Sequence, residues 1–386
     1  MNNKTDFSKR TNIYKPSDAS IAFILALLVP QIIMIIIYFI LGKNVAANHL
    51  TGSLVPQISF LIVFFYVNER KKINYKLANQ INFKIDVVIL LLVILIGVIS
   101  IFGFTPLTNL FDYITAKLGY SSVATNIDLS SFWKFFAAIF YVALLPAICE
   151  ELIFRGIITN GLKKYGMATT ILLSAVLFAL MHQNLQQLIY QLFLGAIMAY
   201  IVLKTGSIIY TMTLHFFNNF LIIFLAFLSG ESGVVDYSDP SYADYYGKAW
   251  NIIWPILLAV LTMAVVVGIL FLIKYLVNRK SKSLLQNIET NNQEEAKDLS
   301  SKQPAVVEGI SINNEQKTEN NEHVDENPEQ NLQKEGEQPP TYGYYSIWTL
   351  FGEADKHDKF YKNPFVISAL VVGLIFWVLT VISCFK

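Results

Sequence analysis

Residues 132–158 read FWKFFAAIFYVALLPAICEELIFRGII. The run is apolar and long enough to cross a bilayer, for which about 20 residues suffice. Yet it carries Glu150, Glu151 and Arg155. An ionisable group at membrane depth costs roughly 3 kcal/mol or more, so such residues turn towards protein or a wet cavity rather than lipid. A span holding these three groups therefore belongs to a bundle, with its polar side facing inward.

Composition agrees with a membrane protein. The chain is 54% apolar and only 15% charged, where a soluble protein carries about 25% charged residues. A net charge of +1 argues against nucleic acid as a partner. Cys149 and Cys384 lie in different apolar runs and suggest no disulfide framework. The polar start, Met1 to Ala19, is long, and the run after it is long enough to span, so no cleavable signal peptide is expected.

Spans are expected near Ser20–Leu41, Leu50–Val67, Val87–Pro106, Phe132–Ile158, Ala168–Met181, Leu185–Leu203, Ile208–Leu228, Trp250–Val277 and Phe365–Phe385. The fifth run is short and ends at His182, as a helix does when it stops inside the protein against a cavity. Lys and Arg cluster before the first run and in alternate short loops: Lys4, Lys9, Arg10 and Lys15, then Arg70, Lys71, Lys72, Lys76 and Lys84. The positive-inside rule then places the N-terminus in the cytoplasm of a multi-pass protein of the cell membrane. The organisation expected is a cytoplasmic segment 1–19, an eight-span domain 20–277, a disordered acidic cytoplasmic linker 278–341, an aromatic interfacial segment 342–363 and a last span 364–386. The acidic tail is a candidate platform for a protein partner. No motif residue lies beyond 277, so removing the tail and last span is expected to spare any chemistry.

Three polar clusters interrupt the spans. In the first, Glu151 and Arg155 are four apart and share a helix face, whereas Glu150 points about 100° away. His182 follows Phe178 by one turn, and Phe178 is most simply packing that braces the ring. His215 and Asn219 share a face of the seventh run, where the plain alternative is polar glue between helices. Placing all three clusters at one depth is strained. If the fourth span ends at Ile158, Glu150 sits near the cytoplasmic edge, while His182 closes the far end of a short helix. A longer or tilted fourth helix would reconcile them.

Glu-Glu-x-x-x-Arg, Phe-x-x-x-His and His-x-x-x-Asn, in this order on successive spans, resemble the CAAX-protease and bacteriocin-processing (CPBP, or Abi) family of intramembrane proteases. The motif core is 132–228. The resemblance implies an all-α polytopic fold, an eight-helix protease core to which this chain adds one C-terminal helix. It also implies roles: Glu150 activates water, helped by Glu151 or Arg155; His182 assists proton transfer; His215 and Asn219 form an oxyanion hole. The substrate would be a membrane-associated peptide or protein tail. No cofactor is favoured. Zinc held by Glu150, His182 and His215 is the alternative, although no His-Glu-x-x-His helix is present.

Rival readings remain on the residues alone. Intramembrane Glu and His also serve transporters, and an idle member of such a family would act as a scaffold or self-immunity protein. Gly230-Glu231-Ser232-Gly233 imitates a serine-protease motif but falls in an acidic loop. An apolar setting makes Cys149 an inert thiol rather than a nucleophile.

Overall fold

The computed structural model describes residues 14–46, 48–72, 79–120, 127–230, 240–301 and 358–385. The serine-protease-like tetrapeptide from Glu231 onward, the linker beyond Ser301 and the aromatics Tyr342 to Phe351 lie outside them. Among the described residues the chain is helical with no sheet, as an all-α polytopic membrane protein should be. The main helices are α1 (Pro16–Leu41), α2 (His49–Lys71), α3 (Val87–Lys117), α4 (Phe132–Tyr165), α5 (Met167–Met181), α6 (Leu188–Thr205), α7 (Ile208–Ser229), α8 (Ala249–Ser301) and α9 (Pro364–Ser383). All but α5 are long and apolar enough to span.

Several helices outrun their apolar segments. Helix α3 continues through Pro106 to Lys117, because a proline in a span costs little when neighbouring hydroxyls and helices re-satisfy the backbone. Thr105 and Thr108 there donate to the carbonyls of Ile101 and Thr105. Helix α8 continues past Val277 to Ser301, into the stretch composition assigned to the linker. Lys, Leu, Gln, Glu and Ala are good helix formers, and a helix already nucleated in the membrane extends without a new nucleation cost.

The chain separates into two units, residues 1–277 with 343–386, and residues 278–342. The described part of the second unit is the helical stretch Asn278–Ser301. In the first unit, α4 is the central helix. Its outer half exposes Phe132, Phe136, Phe140, Leu144 and Ile148, a stripe at four-residue spacing that suits lipid. Its inner half is buried on every side from Ile153 to Leu162. Two π-helical segments, Ile139–Leu144 and Leu152–Ile158, flank Glu150 and Glu151; wide turns of this kind recur at functional sites. The second is braced by side chains: Thr159 donates to the Phe154 carbonyl, and Asn160 to those of Arg155 and Gly156.

The long α4 removes the depth conflict. Gly166, in a left-handed conformation, turns α4 into α5. Glu150 and His182 lie equally far along the chain on either side of it, roughly 24 Å up each helix. The two residues therefore lie at about the same level.

Helix α9 packs against α1 and α5. A Cβ at Gly373 would come 2.8 Å from the Phe23 ring, so the helices approach closely through a small residue. The Thr380 hydroxyl donates to Gln183 Oε1 at 3.1 Å. Tyr120, whose backbone pairs with Phe385, accepts from the Leu185 N–H. The turn after His182 is thus tied to the end of α9, so removing α9 should disturb the motif region, contrary to the expectation from sequence. A protease site inserted between residues 302 and 357 tests this. After cleavage the α9 fragment is expected to co-purify with the rest in mild detergent; its loss would show that α9 is only a tether.

Candidate active site

The two adjacent glutamates serve different neighbours. Glu151 is fully buried, its Oε1 lying 3.1 Å from Arg155 Nη1 and 3.1 Å from His215 Nδ1. Arg155, equally buried, also donates to the Gly195 carbonyl at 3.4 Å. Gly195 lets α6 approach α5 closely there: a Cβ would press on Ala175 and Phe178 at 3.1–3.2 Å. Glu151, Arg155 and His215 form one internal ion cluster joining α4 to α7.

Glu150 faces elsewhere. With His182 it lines a cavity of about 280 Å³, completed by Leu27, Pro30, Gln57, Phe60 and Gln183 among others. At about 30 Å³ per water, that volume holds several. Glu150 Oε1 accepts from Gln57 Nε2 at 3.2 Å. The His182 Nδ1 lies 2.8 Å from the Phe178 carbonyl. A carbonyl only accepts, so Nδ1 carries the proton and the neutral ring offers Nε2 as an acceptor. By the same logic His215 donates from Nδ1 to Glu151, and its Nε2 donates to an oxyanion only in the doubly protonated ring.

Phe178 does more than brace His182. Its ring lies 4.8 Å from the His182 ring, 6.0 Å from that of His215 and 4.3 Å from the Arg155 guanidinium. It therefore stands between the ion cluster and the cavity, with a cation–π contact on one side. The four-residue spacing to His182 was readable, but the contact with Arg155 was not.

Asn219 has a partner the sequence hid. Pro146 has no N–H to give the Val142 carbonyl four residues earlier, and Asn219 Nδ2 donates to that carbonyl at 3.0 Å. Its Oδ1 accepts from Asn218, which in turn accepts from Tyr190. One Asn219 amide hydrogen thus holds α7 to α4, and the other has no acceptor among the described residues.

The structure brings Glu150 and His182 together, and Glu151, Arg155 and His215 together. His215 and Asn219 are not among the residues lining the cavity. Nor are Glu150, His182 and His215 gathered as a metal-binding group among the described residues. As arranged, the three do not fit a zinc site. Gln57 escaped the sequence reading because a single amide in an apolar span makes no pattern.

Residues 132–221 match the family model described as Type II CAAX prenyl endopeptidase Rce1-like. The match, over less than a quarter of the chain, is consistent with the CPBP family. It covers Glu150, Glu151, Arg155, Phe178, His182, His215 and Asn219, but not α1, α2 or α9. No curated protein and no solved structure matches the chain.

Proposed function

We propose that the protein is an intramembrane endopeptidase that hydrolyses a peptide bond in a membrane-associated peptide or protein tail, with Glu150 as general base. The observation that carries the reading is the shared cavity of Glu150 and His182, contributed by two helices within the matched region. Peptide hydrolysis needs a base for water and donors for the developing oxyanion.

In this proposal a water molecule lies between the Glu150 carboxylate and His182 Nε2. Glu150 takes a proton from the water as its oxygen bonds to the scissile carbonyl carbon. The carbon–nitrogen bond then breaks, and Glu150 returns the proton to the leaving amine. His182 orients the water through its acceptor nitrogen. Glu151 and Arg155 act on the base from behind, fixing the α4 turn that presents Glu150. The oxyanion is assigned to His215 and to the second Asn219 amide hydrogen. Because neither lines the cavity, the substrate carbonyl must sit on the α7 side of Glu150.

The substrate reaches this site within the bilayer, and the acidic tail is proposed to contact a protein partner. The N-terminus is assigned to the cytoplasm of a cell-membrane protein. Two ion pairs, Lys71 with Asp18 and Lys164 with Asp358, join helix ends assigned to that side.

Chelation tests the proposed chemistry. Purified protein in proteoliposomes, given a library of membrane peptides, is expected to cleave some of them equally well before and after exhaustive chelation. Loss of cleavage restored by zinc would replace the metal-free mechanism with a metal-dependent one. Absence of cleavage in the untreated sample would reject the endopeptidase itself.

A further inference from the structure

Gln57 lies on α2, outside the matched region, and has 6% of its surface exposed. Its neighbours on the helix use their polarity locally: Ser59 turns back to the Val55 carbonyl at 2.7 Å. Gln57 instead reaches across to α4 and donates to Glu150 Oε1. The amide orientation is dictated, because an amide oxygen facing a carboxylate would repel it, whereas the NH₂ group donates. Gln57 Oε1 and Glu150 Oε2 are both buried and have no hydrogen-bond partner among the described residues.

The consequence concerns geometry. A glutamate side chain has three torsions, and a base must hold its oxygen within hydrogen-bond reach of the water it activates. One donor fixed to Oε1 locks the carboxylate plane and reserves Oε2 for the proton. A hydrogen bond to an ionised carboxylate is also about twice as strong as one between neutral groups.

We infer that Gln57 is a positioning residue that holds the Glu150 carboxylate in its working orientation; the inference rests on Glu150 being the general base. The bland alternative is polar glue between α2 and α4. Glue would act on stability. Positioning acts on turnover.

Gln57→Leu and Gln57→Met keep the bulk and remove the donor. Both should be assayed on a fluorogenic form of a peptide that the wild type cleaves. The expected result is a kcat about 10-fold to 100-fold lower, the scale of a small misplacement of a reacting group. KM should stay within about twofold, and the melting temperature should be unchanged. A kcat within about twofold of wild type, a loss confined to KM, or a melting-temperature fall that accounts for the lost activity would overturn the inference. If the wild type cleaves nothing, the endopeptidase reading fails separately. The contact is then read by infrared spectroscopy, with the Glu150 carboxyl band assigned by its loss in Glu150→Gln. That band should shift in Gln57→Leu, and an unmoved band would refute the positioning contact.

Discussion

Arg155→Leu is expected to lower the melting temperature of the purified protein by on the order of 10 °C. The guanidinium is fully buried against Glu151, the Gly195 carbonyl and the Phe178 ring. Removing one partner of a buried pair leaves the other as an uncompensated charge, which costs about 3–5 kcal/mol. That is a large part of the roughly 5–15 kcal/mol by which a typical domain is stable. The double variant Glu151→Leu with Arg155→Leu should recover much of the loss, because a buried pair exchanged for apolar side chains of similar volume is often neutral. Thermal melts of the two variants in one detergent check both statements. A wild-type melt for the single variant would mean that the pair carries no structural load, leaving Arg155 free for a direct part in the chemistry.

Glu150→Gln should behave in the opposite way. Glutamine keeps the shape of the side chain, and its carbonyl oxygen can still accept from Gln57, so expression and melting temperature should hold. Turnover should fall by up to about 10⁴-fold, the upper range for a lost general base. The contrast between neighbours is itself diagnostic. Position 151 governs stability and position 150 governs rate, because one carboxylate is locked in an ion cluster and the other lines a cavity. Full turnover in the Glu150→Gln protein would reject the glutamate mechanism.

The spans and the motif residues were legible in the sequence because their signals are local. Apolar runs announce helices, and a Glu pair or a His inside such a run stands out against its surroundings. The motif spacings also indicated which residues share a helix face, as Glu151 and Arg155 do. What the sequence could not show is set by contacts between distant segments. The extension of α4 to Tyr165 brings Glu150 level with His182, yet residues 159–165 are too polar to read as span. The Asn219 bond to Val142 depends on a proline in another helix. Helix α9 reads as an appendage because its links to Phe23, Gln183 and Tyr120 cross most of the chain length. Gln57 becomes notable only once Glu150 is seen beside it.

The Glu150 cavity is proposed to break peptide bonds. The most direct test is a mass-spectrometric comparison of new peptide termini in membranes of cells producing equal amounts of wild-type and Glu150→Gln protein. A set of termini, within or beside membrane segments, is expected to be present with the wild type and absent with the variant. Identical termini in the two membranes, with both proteins folded, would contradict it and leave the cavity to transport or scaffolding.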